Sequence, residues 1–278
     1  MLKRLRYQLS KSSLRVPLVW KRHWGVNDQD VFVASYPRSG STWLRFLLFE
    51  TLTKNDAGFD NVNRVIPDVG MHGEATPLLP KQGRLIKTHE PFRPEYKKAV
   101  YVVRDVRDVV LSEYAYQKAL GRIAGTFDQY LDDFLKGTAT GYGSWQEHVR
   151  GWIDSPLTKN GQLLVVKYAE LKKDGLVQLQ RIMQFLGVVV ERQVILNAIQ
   201  NNEFNKMRAK EDRNPQLGKS AEGENRFVRK GTVGGWRQQL TPEQLQRIEQ
   251  MAGTILARLH YESGLEELSL APNAASAD

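Results

Sequence analysis

Apolar positions along this chain fall into two kinds of pattern. Four short runs are almost continuously apolar or β-branched, at residues 31–35, 84–88, 99–103 and 163–167. Strands buried on both faces of a parallel sheet read this way, because neither face meets water. Amphipathic stretches with helical spacing lie between and after them, at 43–53, 106–119, 127–136, 144–152, 174–186 and 191–200. A last helix is marked by Thr241 as N-cap, Pro242 at the first helical position and Gln244 at the third. Leu245, Ile248, Met251, Ile255 and Leu259 then recur at helical spacing. Strand–helix alternation predicts a three-layer α/β/α domain around a central, mainly parallel sheet.

Two long stretches lack such periodicity. Residues 54–83 are rich in glycine and proline, and residues 205–235 are polar, highly charged and carry Gly218, Gly223, Gly231, Gly234 and Gly235. Irregular segments of that length inside a compact domain predict functional loops or lids, or else disorder. The Ala/Ser-rich end reads as a frayed tail. The expected division is a basic arm over 1–26, one folded domain over 27–268 and a flexible tail over 269–278.

Composition narrows the chemistry. A chain of 278 residues, 41% hydrophobic, can bury a full α/β core as one domain. It has no cysteine, which excludes disulfides, thiolate catalysis and cysteine-based zinc sites. Its five histidines show neither an HExxH pattern nor a short paired spacing, so no metal site is expected.

The net charge of +9 is concentrated at one end. Residues 1–27 hold Lys3, Arg4, Arg6, Lys11, Arg15, Lys21 and Arg22 with no acid; removing those seven leaves about +2 for the rest. Nucleic-acid binding would want a basic stripe on the folded domain, so no nucleic-acid partner is expected. The arm interleaves its charges with Leu2, Leu5, Tyr7, Leu9, Leu14, Val16, Leu18 and Trp20. Two readings stay open: residues 1–24 rest on an anionic membrane surface or anchor a partner, or the arm packs Trp20 and Trp24 on the body. No apolar run is long enough for a signal or membrane-spanning segment, which predicts a soluble cytoplasmic protein, at most peripheral at a membrane.

The most informative stretch is Ser35-Tyr36-Pro37-Arg38-Ser39-Gly40-Ser41-Thr42-Trp43, between the first strand and the first helix of the domain. A strand, a tight glycine turn and a helix N-terminus aim orphan N–H groups and the helix dipole at one small volume. Arg38, Ser39, Ser41 and Thr42 add a charge and three hydroxyls, which makes an anion site suited to a nucleotide phosphate. The spacing is not that of a Walker A loop, since no lysine follows Gly40. A bland alternative is a corner whose hydroxyls only cap the helix.

This loop resembles the 5′-phosphosulfate loop of the PAPS-dependent sulfotransferases, Tyr-Pro-Lys-Ser-Gly-Thr-Thr-Trp, with Arg38 for lysine and Ser41 for threonine. Three further segments match that family in order. Lys87-Thr88-His89-Glu90-Pro91 is its Lys-Thr-His-x-Pro, implying His89 as catalytic base and Lys87 near the sulfuryl group. Arg104, at a strand end, and Ser112, eight residues on, match its 3′-phosphate segment. Arg229-Lys230-Gly231, followed by Gly235-Trp236, resembles its Arg-Lys-Gly-x-x-Gly-x-Trp signature, with Gly235 where aspartate is usual. Tyr168 matches a tyrosine that contacts adenine, and Trp43 a base-stacking residue. The motifs span about three quarters of the chain.

The resemblance implies a P-loop-NTPase-like fold and transfer of a sulfuryl group from PAPS to a hydroxyl or amine, with PAP leaving and no metal. His89 would take the acceptor proton, while Arg38, Lys87 and the helix N-terminus stabilise charge on the leaving oxygen. The implied acceptor is a small molecule, a lipid or a glycan. The family's dimer motif would fall at Arg237 to Gln246, where only Thr241 matches, so the oligomeric state stays open. Two other classes remain: a P-loop phosphotransferase using ATP and magnesium, with Asp105 as a Walker B carboxylate, and a non-catalytic protein that binds anions or a membrane surface.

Overall fold

A computed structural model of the protein describes residues 15–216 and 226–265. The four expected strands form the parallel body of one sheet: β1 (Val31–Ser35), β3 (Gly83–Thr88), β4 (Lys98–Val103) and β5 (Leu163–Lys167). An edge strand that the apolar pattern does not announce, β2 (Pro77–Leu79), pairs antiparallel with β3. It is three residues long and begins with proline, which suits an edge and leaves no periodicity to read. The order is β2-β3-β1-β4-β5, so the chain crosses from β1 to β3 on one side and to β4 on the other.

Side-chain alternation across the sheet builds two cores. Phe32, Ala34, Ile86, Ala99, Tyr101 and Val103 face one layer, formed by α4 (Val106–Ala119), α5 (Phe127–Leu135), α6 (Trp145–Ile153) and α12 (Pro242–Arg258). Val31, Val33, Leu85, Val100, Val102 and Val166 face the other, formed by α2 (Ser41–Thr53), α9 (Gly175–Leu186) and α10 (Arg192–Asn201). The short helices α3 (Val62–Val65), α7 (Pro156–Lys159) and α8 (Tyr168–Lys173) complete the connections. The start of α12 is the one expected, with Thr241 and Gln244 bonding reciprocally in a capping box. The α/β/α expectation therefore holds.

Two expectations are corrected. Residues 205–235 are not irregular throughout: α11 (Phe204–Arg213) occupies their first part. Its buried face is Met207, Lys210 and Glu211, so two of three inward positions are charged and the helix shows no apolar stripe. Lys210 Nζ bonds Glu50 Oε1 at 2.9 Å and Asn202 Oδ1 at 2.7 Å, which satisfies the buried ammonium. The second correction concerns α1 (Arg15–Arg22), which docks through Val19 and His23 while Trp20 and Trp24 remain exposed. The remainder of the basic arm and the Ala/Ser-rich tail lie outside the described residues. Among the described residues, no helix is long and apolar enough to cross a membrane.

A buried charge cluster ties α4 to α12. Arg107 donates to both carboxylate oxygens of Asp105, to Glu249 Oε1 at 2.6 Å and to the Glu262 carbonyl, with its guanidinium 3.9 Å from the Trp236 ring centre. Removing the cation strands two buried carboxylates. Arg107→Met should cost about 3–5 kcal/mol of unfolding free energy, read by urea denaturation. A cost under about 1 kcal/mol would show the cluster to be structurally idle.

Candidate active site

The sheet register brings the expected site together. Ala34 lies level with Thr88, Ser35 with Val102 and Val103 with Lys167, so four parallel strands end at one rim. The next residues are Tyr36, His89, Arg104 and Tyr168. Ligand crevices in open α/β sheets form at such a rim, where the strand order reverses. A cavity of about 470 Å³ opens there, and every expected site residue except Ser39 lines it. Its size is that of a small-molecule site.

The β1–α2 turn forms the cavity floor. Arg38 and Gly40 hold positive φ, 64° and 101°. A Cβ on Gly40 would sit 2.4 Å from Cδ2 of Tyr168, so only glycine permits this approach. Gly40 is also the N-cap of α2, and no side chain caps the helix. The hydroxyls are therefore not the cap that the bland alternative requires, and the first N–H groups of α2 are left for a ligand. Ser39 lies beneath the turn, and its buried hydroxyl has no hydrogen-bond partner.

His89 emerges from the end of β3. Its Nδ1 lies 2.7 Å from the Ser35 carbonyl, so Nδ1–H donates and Nε2 carries the lone pair. Burial and the neighbouring Lys87 pull His89 down to about 3, which keeps the ring neutral. Lys87 Nζ is 2.7 Å from Asp68 Oδ1. Burial lowers the Lys87 ammonium, against the opposing effect of Asp68. Asp68 reaches this position because residues 67–69 run along β3, with the Val69 amide donating to the Lys87 carbonyl and the Lys87 amide to the Pro67 carbonyl.

A second histidine backs the first. His148 Nε2–H donates to the His89 carbonyl at 3.0 Å, and its Nδ1 accepts from the Tyr101 hydroxyl at 2.9 Å. Burial pulls His148 down to about 4. Tyr142 packs edge-on against the His89 ring.

Arg38 and Arg104 also line the cavity. Arg104 reaches the Arg38 carbonyl and the Thr232 carbonyl, stands 4.9 Å from the Tyr168 ring centre and keeps a buried Nε without a partner. Arg38 donates to Ser112 Oγ at 3.2 Å and to the Phe227 carbonyl at 3.1 Å, between the rings of Tyr116 and Phe227. Arg38 therefore joins Ser112 and the 227–231 segment. That segment is clamped from below by Glu211, whose carboxylate accepts the Phe227 and Val228 amides. Asp108 does the same for Gly234 and Trp236. Tyr168 donates to the Gly231 carbonyl at 3.2 Å, and Gly231 takes φ 60° against the Phe204 ring. Trp43 is anchored by its indole N–H to the Asn202 carbonyl at 2.8 Å and meets Tyr168 edge-on.

Asp105, which a magnesium-dependent reading needs, directs its carboxylate to the backbone and guanidinium of Arg107. Among the described residues, no group of three His, Asp or Glu side chains is placed to hold a metal. Residues that the sequence reading missed are Asp68, His148 and Glu211. Asp68 sits in an aperiodic stretch and Glu211 in a helix without an apolar stripe. His148 sits in a well-marked helix, where only its inward position separates it from a surface residue.

Comparison with known proteins decides the family. The sulfotransferase domain model matches residues 28–260. The chain belongs to the sulfotransferase family. Sulfotransferase 2B1 of Mus musculus is 30% identical over 88% of this chain and 77% of its own length. Mouse sulfotransferase 2A1 is 31% identical over 82% of this chain and 86% of its own. Among solved structures, a mouse sulfotransferase complexed with PAP superposes with a TM-score of 0.66 at 24% identity, covering 93% of this chain and 94% of that one. Retinol dehydratase, in complex with retinol and PAP, superposes with a TM-score of 0.68 at 23% identity and covers 86% of each chain. These superpositions bear out the fold; the domain match makes this sulfotransferase a sulfuryl-transferring enzyme.

The buried neutral histidines have a consequence for stability. Both take up protons near pH 6.5 once unfolded but only at about 3 and about 4 when folded. The unfolded state therefore binds more protons below pH 6.5, and stability falls as pH drops toward 4. Urea denaturation across pH 4–8 should show that loss, and His148→Gln should flatten it; an unchanged slope would contradict a buried neutral His148.

Proposed function

We propose that His89, Lys87 and the β1–α2 turn of this sulfotransferase carry transfer of a sulfuryl group from PAPS to a small-molecule hydroxyl, PAP leaving. The observation that carries the catalytic assignment is the Nδ1–H bond from His89 to the Ser35 carbonyl, which leaves the Nε2 lone pair as proton acceptor. The donor supplies the sulfuryl group on a phosphate leaving group, and the residues present fit it. Gly40 lets the Tyr168 ring close against the turn, α2 offers uncapped N–H groups, and Arg104 keeps a buried donor without a partner.

In the transfer, His89 Nε2 takes the hydroxyl proton as the acceptor oxygen bonds to sulfur. The bond from sulfur to the 5′-phosphate oxygen breaks, and charge collects on that oxygen. Lys87 and the α2 N-terminus stabilise it, and Arg38 contributes charge rather than a proton. Ser41 and Thr42 hold the 5′ side, whereas Ser39, buried outside the cavity lining with its amide on the Tyr36 carbonyl, is not part of it. Arg104, Ser112, Arg229, Lys230 and Gly231 hold the 3′-phosphate; Trp43 and Tyr168 hold the base. His148 is a positioning residue, fixing the His89 backbone through its carbonyl. All of these residues lie within residues 28–260, which the sulfotransferase domain model matches.

Two variants separate chemistry from binding. His89→Ala should lower turnover of labelled PAPS with a panel of alcohols and phenols by about 10²–10⁴-fold while leaving PAP affinity within a few-fold. Arg104→Ala should weaken PAP about ten- to hundredfold. Full activity in the His89 variant would remove it from the mechanism.

The pH dependence follows from the same geometry. Because His89 stays unprotonated down to about 3, kcat/KM should show no acid limb near 6.5. A limb centred there would contradict the buried neutral ring.

A further inference from the structure

The outer face of α1 is apolar where a surface helix is normally polar. Val19 and His23 turn inward, and the arc facing water carries Pro17, Leu18, Trp20, Lys21 and, just past the helix, Trp24. Trp20 is 72% exposed and Trp24 87%. Met71, 76% exposed, belongs to the same region: Gly70 packs directly on the Arg22 side chain, and the His72 ring approaches Gly25. Single exposed apolar residues are ordinary, but a cluster with two tryptophans is not.

The face is held out rather than collapsed. His23 bonds the Val19 carbonyl and the Tyr96 hydroxyl, both at 2.6 Å. Arg22 donates to the Val69 carbonyl and to Glu90 Oε1. A Cβ on Gly70 would fall 2.9 Å from Arg22 Cγ, so the glycine admits this docking. Arg22 also lines the cavity that holds His89, which links the helix that carries the apolar face to that cavity.

Charge selects the partner. Residues 1–27 carry seven lysines and arginines and no acid. Tryptophan, leucine and methionine amid a basic segment match an anionic lipid bilayer, where indoles sit at headgroup level and cations meet lipid phosphates. We infer that Pro17, Leu18, Trp20, Lys21 and Trp24 with Met71 form a docking face for an anionic membrane surface. A second copy of the chain, equally basic in its own arm, would bring like charges together on such a face.

The test is co-sedimentation of the full chain with phosphatidylcholine vesicles, with and without phosphatidylglycerol. Binding should require the anionic lipid and weaken with salt. Trp20→Ser combined with Trp24→Ser should weaken it about tenfold or more while PAP affinity is unchanged, showing an intact fold. Failure of the full chain to bind, or equal binding by the double variant, would overturn the inference. A concentration-dependent dimer abolished by the same substitutions would also overturn it, assigning the face to a second copy.

Discussion

The turn between β1 and α2 closes only because Gly40 has no side chain, and the rest of the site is arranged around that fact. The Tyr168 ring lies where a Cβ would be, at 2.4 Å. From that contact Tyr168 reaches the Gly231 carbonyl, Arg104 stacks over the ring and Trp43 meets it edge-on. One missing methyl group thus brings the ends of β1, β4 and β5 and the 226–231 segment into a single wall. It also leaves α2 without a side-chain cap, so the N–H groups that a cap would satisfy face the cavity.

Buried carboxylates supply the second constraint. Glu211 and Asp108 each accept two backbone amides of the segment between α11 and α12, and Asp105 holds Arg107. Burial pushes Asp108 up, against the lowering effects of Arg104 and the Gly234 and Trp236 amides. These bonds give residues 226–236 a defined path beside Arg38 and Arg104 without an apolar core of their own. The same logic operates in α11, whose inward Lys210 is satisfied by Glu50 and Asn202.

Those constraints explain what could be read from the sequence and what could not. The four parallel strands and the α12 capping box were legible because apolar runs and cap chemistry are local signals. The loop at 35–43, His89, Arg104 and 229–231 were legible as motifs, and the register shows why they converge. Helix α11 was not, since its inward positions are charged and their partners lie far along the chain. Asp68 was hidden for a related reason: its place beside Lys87 depends on residues 67–69 pairing along β3, which no periodicity announces. His148 needed the third dimension to distinguish an inward ring from an outward one. Trp20 and Trp24 rule out the reading that packs them on the body, because Val19 and, just past α1, His23 took the inward positions.

The central claim is that the rim binds a nucleotide carrying a 3′-phosphate, at Arg104, Ser112 and the 229–231 segment. Calorimetric titration with PAP and with ADP, without added metal, tests it most directly. The account predicts micromolar PAP binding, tighter than ADP by about a hundredfold, since ADP lacks the 3′-phosphate and loses its charged hydrogen bonds. Equal affinity for PAP and ADP, or binding only of ATP with magnesium, would contradict it.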